Sequence, residues 1–172
     1  ALVDIDGDGT VDAVIAVESD GSTVTFVDVD GDGTVDAVIA EAVDGGTVVA
    51  VDEDGDGEAD VLLVDVDGDG TIDAVISEAA DGGTVVAVDE DGDGEADVLL
   101  VDVDGDGTVD AVITTTEDGA TVVAIDEDGD GTPDVLLVDV DGDGTIDAIA
   151  TLDENGEVTE LAVVEKETDA AE

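Results

Sequence analysis

Leu63-Val64-Asp65-Val66-Asp67-Gly68-Asp69-Gly70-Thr71-Ile72-Asp73-Ala74-Val75-Ile76 sets an acidic, glycine-punctuated loop between two short apolar runs. Its nine-residue centre, D-x-D-G-D-G-x-x-D, begins at Asp4, Asp28, Asp52, Asp65, Asp89, Asp102, Asp126 and Asp139. Successive starts lie 24, 24, 13, 24, 13, 24 and 13 residues apart, so the repeating unit is 37 residues long. Full copies occupy 28–64, 65–101 and 102–138, a shortened copy covers 1–27, and a divergent one covers 139–172. The chain reads as a single repeat domain over 1–172.

Outward from each loop lie runs of four to six residues, rich in Val and Ile and bounded by Gly and Asp. In one copy they are Ala74-Val75-Ile76-Ser77, Thr84-Val85-Val86-Ala87-Val88 and Val98-Leu99-Leu100-Val101. Runs this short and this β-branched predict strands, because a helix needs a longer periodic stretch. The first two runs of each copy are joined by Asp20-Gly21, Asp44-Gly45, Asp81-Gly82, Asp118-Gly119 or Asn155-Gly156. Such pairs favour tight hairpins with positive φ at both central residues, so these runs are expected to form antiparallel hairpins. Neither strand face is polar: Val14 and Ala16 fall on one side, Ala13, Ile15 and Val17 on the other. A sheet of this kind must be covered on both sides. The expected fold is all-β, an antiparallel meander of about fourteen short strands with loops along both edges. Three strands per copy invert successive copies, and an open ribbon or superhelix is expected ahead of a propeller-like closure.

The formal net charge is −52, from 53 acidic residues and one basic residue, Lys166. Self-repulsion on that scale opposes a compact state. Yet 42% of residues are hydrophobic, and disordered acidic chains are poor in apolar residues. Something must neutralise the acid while the apolar runs pack. The chain has no Cys, His, Met, Trp or Tyr. Disulfides and thiolate or imidazole metal sites are therefore excluded, leaving hard oxygen donors. Nucleic acid is not expected as a partner, since its phosphates need Lys and Arg. No run reaches the length of a membrane span, and the opening Ala1-Leu2-Val3-Asp4 does not read as a signal peptide. The Lys166 charge reads as solvated, Phe26 as part of the core, and the chain is not expected to be an enzyme.

The loop itself supplies the donors. Position 1 is Asp4, Asp28, Asp52, Asp65, Asp89, Asp102, Asp126 or Asp139. Position 3 is Asp6, Asp30, Asp54, Asp67, Asp91, Asp104, Asp128 or Asp141. Position 5 is Asp8, Asp32, Asp56, Asp69, Asp93, Asp106, Asp130 or Asp143, and position 9 is Asp12, Asp36, Asp60, Asp73, Asp97, Asp110, Asp134 or Asp147. Position 7 adds the main-chain carbonyl of Thr10, Thr34, Glu58, Thr71, Glu95, Thr108, Thr132 or Thr145. This is the ligand spacing of the first nine residues of an EF-hand loop, with a glycine at position 6 for the sharp turn. Like charges about 4 Å apart cost on the order of 4 kcal/mol per pair at an effective dielectric near 20, and a central cation reverses that sign. Calcium is expected at up to eight sites; magnesium fits less well because it holds its waters and demands strict octahedral geometry. Eight ions of charge +2 would take the net charge from −52 to −36. An EF-hand also needs a carboxylate at position 12, where these loops carry Ile15, Ile39, Leu63, Ile76, Leu100, Ile113, Leu137 and Ala150.

With strands on both flanks, residues 63–76 resemble the calcium-binding hairpin loops of integrin-type FG-GAP and VCBS repeats. The likeness covers residues 1–150 and implies metal ligation by positions 1, 3, 5 and 9 with the position-7 carbonyl. The 37-residue, three-strand copy departs from the longer four-strand blade of that family. The function expected is a calcium-stabilised extracellular or cell-surface structural repeat. Leu2-Val3-Asp4 matches the end of a third run and 157–165 reads as a second-run strand, so the expectation is either head-to-tail self-association into a filament or layer, or a monomer whose divergent C-terminal segment caps the array and blocks addition. A calcium-dependent adhesion module is the alternative, and near-identity of the copies also fits an engineered consensus repeat.

Overall fold

Strand-forming runs and loop-forming clusters separate cleanly in space as they do in sequence. The computed structural model describes residues 1–79 and 82–164, so Asp81, Glu165 and Lys166 lie outside the described residues. The strands are β1 (Leu2–Val3), β2 (Ala13–Val17), β3 (Thr23–Val27), β4 (Ala37–Glu41), β5 (Thr47–Val51), β6 (Val61–Asp65) and β7 (Ala74–Glu78). They continue as β8 (Thr84–Val88), β9 (Val98–Asp102), β10 (Ala111–Thr115), β11 (Thr121–Ile125), β12 (Val135–Asp139), β13 (Ala148–Leu152) and β14 (Val158–Val163). The hydrogen-bonded order follows the chain from β1 to β14, and the sheet is open. The expected all-β meander of fourteen strands is therefore the fold observed. The chain divides into two compact units, one containing β1–β7 and the other β9–β14.

The hairpin turns differ from the expected type. Among the described residues none other than glycine has positive φ, so Asp20, Asp44, Asp118 and Asn155 keep negative φ while in the first turn Gly21 (φ 100°) alone crosses over. The Gly21 N–H donates to the Glu18 carbonyl at 3.1 Å, and the Glu18 N–H donates to the Ser22 carbonyl at 2.9 Å. That is a three-residue connection: a type I turn closed by a glycine bulge. The same bond pair closes the turns at Ala42–Gly46, Thr116–Ala120 and Asp153–Glu157. One glycine per turn is enough because the bulge absorbs the twist that a two-residue loop would place on both central residues.

Registers within the first unit put whole rows of side chains on one face. Leu2, Val14, Phe26 and Val38 stand opposite one another on successive strands, and the row continues through Ala50, Leu62 and Ile76. Beside it runs Ala16, Val24, Ala40, Val48, Val64 and Ala74. Neither row contains a polar side chain. The opposite face carries Ile15, Thr25, Ile39, Val49, Leu63 and Val75 in one row, and Thr23, Glu41, Thr47 and Asp65 in another.

The three-strand copy inverts its neighbour, as expected. Ile39 lines up with Val49, Leu63 and Val75, whereas Ile76, its equivalent one copy later, lines up with Leu62 on the other face. In the second unit Ile113 shares a face with Leu137 and Ile149, and its equivalent Ala150 falls on the reverse. Burial is correspondingly thin. Among the described residues only Ala13 and Ala150 are buried apolar side chains, and none is fully enclosed.

Candidate metal centres

Antiparallel strands put successive connections at alternating ends, so each unit has two rims. In the first unit the loops beginning at Asp4, Asp28 and Asp52 share one rim, and the loop at Asp65 lies on the other with the turns at Gly21 and Gly45. In the second unit the loops at Asp102 and Asp126 share a rim, and the loop at Asp139 faces the Gly119 turn across the other.

Each loop is pinned shut at its base. The Asp73 N–H donates to the Val64 carbonyl at 2.8 Å, closing the nine-residue excursion as a hairpin. Inside it, the carboxylates collect amide hydrogens. Asp65 accepts from Gly68 (2.7 Å) on one oxygen and Gly70 (3.0 Å) on the other. Asp67 accepts from Asp69 at 3.1 Å, Asp69 from Thr71 at 2.7 Å, and Asp73 from Val66 at 2.6 Å. Five N–H dipoles of this loop thus point at carboxylates, which holds the acids in place and offsets part of their repulsion. The full set recurs around Asp28, where Gly31 and Gly33 donate at 2.8 and 2.9 Å, and around Asp126, where Gly129 and Gly131 donate at 2.9 and 2.7 Å. Asp65, Asp126 and Asp139 are buried, with 7%, 7% and 5% of their surface exposed.

The structure brings three carboxylates of one loop together. Asp65, Asp67 and Asp73 each offer an oxygen within 4.8 Å of the others, as do Asp52 with Asp54 and Asp60, and Asp89 with Asp91 and Asp97. In the first two loops the three are positions 1, 3 and 5: Asp4, Asp6 and Asp8, then Asp28, Asp30 and Asp32. Eight such groups occur among the described residues. Oxygens around a calcium ion at 2.3–2.6 Å lie no more than about 5 Å apart, so these clusters can hold a metal ion, and their all-oxygen chemistry suits a hard one. The position-7 side chains turn elsewhere. Thr10, Thr34 and Thr71 direct their amides at the position-5 carboxylate, and Thr10 and Thr34 add their hydroxyls. The hydroxyl of Thr10, Thr34 or Thr108 lowers the pKa of Asp8, Asp32 or Asp106, with the amide of the same residue second. At Asp69 the Thr71 amide acts first and its hydroxyl second.

Two features of the site were not read from the sequence. Loops sharing a rim are joined by main-chain bonds: the Asp28 N–H donates to the Asp12 carbonyl (2.8 Å), Asp52 to Asp36 (2.9 Å) and Asp126 to Asp110 (2.8 Å). The position-4 glycine also has a packing role. A Cβ on Gly68 would sit 2.6 Å from the carbonyl carbon of Gly45, and one on Gly142 would sit 2.7 Å from the Gly119 oxygen. Gly46 and Gly83 have ordinary φ but lie under the Val66 and Val103 carbonyls, where a Cβ would come within 2.9 and 2.8 Å. The signal was present in the sequence. Gly-Gly follows Asp44 and Asp81, where a loop packs alongside, and Gly21 is followed by Ser22, but Gly119, which also meets a loop, is followed by Ala120.

No protein-family model matches the chain, and no curated protein matches it. Among solved structures, a Staphylococcus aureus TarM mutant in complex with Fondaparinux, alpha-GlcNAc-glycerol and UDP aligns at 13% identity and a TM-score of 0.43. That alignment covers 60% of this chain and 20% of the other. A second TarM structure aligns at 15% identity and TM-score 0.43 over 60% of this chain and 19% of that one. The matched part is about a fifth of those chains, and a likeness at this level carries no argument. No helix among the described residues is long and apolar enough to cross a membrane.

Proposed function

We propose that this chain is a calcium-stabilised structural repeat of the integrin-type FG-GAP/VCBS kind, working outside the cell or at its surface. The observation that carries the reading is the convergence of three carboxylates in each of eight groups, held by main-chain amides and free of nitrogen or sulfur donors. Calcium would supply the positive charge that such a cluster lacks. Positions 1, 3 and 9, or 1, 3 and 5, would hold it, while the glycine amides fix the position-1 carboxylate. Extracellular loops of this class bind in the range of about 10⁻⁴–10⁻³ M, so millimolar calcium fills them and cytosolic calcium does not. Metal binding is then part of the folding free energy.

The proposal extends to head-to-tail association, in which a strand of one copy adds beside a strand of the next. β14 is exposed along its whole length, as an added strand requires. Electron microscopy with and without residues 157–172 tests that extension, and undiminished filaments after truncation would remove it. The central claim is tested by far-UV circular dichroism during a calcium titration started in EGTA. A strand spectrum that rises with calcium supports it; a strand spectrum already complete in chelator would overturn it.

A further inference from the structure

We propose that the hollow between the loops beginning at Asp28 and Asp52 binds a small organic cation, an ammonium group carried on an apolar stem. The hollow has a volume of about 420 Å³, a size typical of small-molecule sites. Its floor is apolar: Phe26, Val38 and Ala50 stand in one row across β3, β4 and β5. Its lip is acidic, with Asp36 from one loop and Asp52, Asp56 and Glu58 from the other. Such a floor takes the stem and such a lip takes the positive head, whereas a neutral ligand would use only the floor and an anion would be repelled. Calcium in the flanking loops does not remove this preference. Residues 28–36 carry four carboxylates and residues 52–60 carry six, so two calcium ions of charge +2 take −10 to −6. Position 7 would meet the metal through its main-chain carbonyl, which leaves the Glu58 carboxylate available to the head.

Phe26 sets this place apart from its counterpart. It is the only aromatic residue of the chain. Expected in the core, it is instead 39% exposed. An aromatic face attracts a cation through its quadrupole, which an aliphatic side chain cannot do. The second unit repeats the arrangement 74 residues later and supplies an internal control. There Leu100 stands opposite Val112 as Phe26 stands opposite Val38. The hollow between the loops at Asp102 and Asp126 has the matching Val112 and Ala124 but measures only about 150 Å³. Thr132 and Pro133 take the places of Glu58 and Ala59. The first hollow thus departs from the repeat by being wider, by gaining an aromatic wall and by gaining a carboxylate, and each departure favours an organic cation.

The test titrates hexyltrimethylammonium chloride into the full chain, saturated with calcium, at about 0.15 M salt. Valine ¹³C-methyl NMR reads Val38 and Val112 in the same sample, so the general pull of an acidic surface on any cation acts on both. Val38 is expected to respond with a midpoint at least about five-fold below that of Val112. Phe26→Leu is expected to raise the Val38 midpoint by about two- to five-fold, and Glu58→Thr by at least about two-fold. Both exchanges install what the second unit already carries at the equivalent place, so the fold is expected to survive them. Equal midpoints at Val38 and Val112 in the wild type, or an unchanged Val38 midpoint in Phe26→Leu, overturn the inference. So does an equal response to hexanol, which would make the hollow indifferent to charge. A Val38 midpoint that rises in proportion to calcium also overturns it, because the probe would then sit in the metal loops. A strand-rich chain in EGTA that still binds the probe at Val38 sinks the calcium reading and leaves this inference standing; a calcium-folded chain whose two valines respond alike does the reverse.

Discussion

Gly55 and Gly68 occupy position 4 of neighbouring loops with the same φ of 76°, yet nothing lies within 4 Å of a Cβ on Gly55, while a Cβ on Gly68 meets Gly45 at 2.6 Å. Alanine at either site bears the left-handed penalty of about 1–2 kcal/mol. At Gly68 the obstacle is backbone on both sides, which cannot rotate away, so an overpacking cost of about 1–3 kcal/mol adds to it. Gly55→Ala is thus expected to destabilise by about 1–2 kcal/mol and Gly68→Ala by about 2–5 kcal/mol. Thermal melting in saturating calcium, followed by circular dichroism, reads the difference. At about 2–4 °C per kcal/mol for a chain of this size, Gly68→Ala melts several degrees below Gly55→Ala. Gly142→Ala against Gly129→Ala repeats the comparison in the second unit, at φ of 68° and 73°. Equal shifts within both pairs would refute the packing of turn against loop, because the conformational penalty alone would then account for both.

Asp65→Ala leaves the Gly68 and Gly70 amides without an acceptor at a site only 7% exposed, and an expected loss of about 1–3 kcal/mol should appear in the same melts. Asp6→Ala, in an exposed cluster with one amide bond to lose, should cost less. Thr34→Val removes the hydroxyl that holds the Asp32 pKa down, so acid unfolding of the calcium-loaded protein, followed by circular dichroism, should begin at a higher pH. The sign follows from the lowered folded-state value: the Asp32 contribution is present above 3.8 and is lost as pH falls through its folded pKa.

The strands were legible because Val, Ile and Leu runs of strand length sit between clusters that cannot continue them. The inversion of successive copies was legible from counting three runs per copy, and Ile39 and Ile76 bear it out. The turn type was not. Asp20-Gly21 and Asp44-Gly45 suit both a two-residue and a three-residue connection, and only the register of Val17 with Thr23 and Glu41 with Thr47 selects the second. At the site, Asp spacing located the loops, and the three-carboxylate groups fall within them. What spacing could not reveal is which three of four carboxylates converge, or that Gly45 and Gly68 touch. Those depend on which connection lies next along a rim, a long-range property of strand order.

An odd number of strands per copy gives the repeat a parity. Each copy hands the chain on reversed, so inserting one would send everything after it to the opposite rim and the opposite face, while inserting two would restore both. Changes in copy number are therefore not equivalent. A gain or loss of 74 residues preserves the placement of whatever is joined downstream, whereas 37 residues transposes it. Copy count then acts as an orientation setting for attached segments, readable by the distance between fluorophores placed at either end of arrays with odd and even numbers of copies.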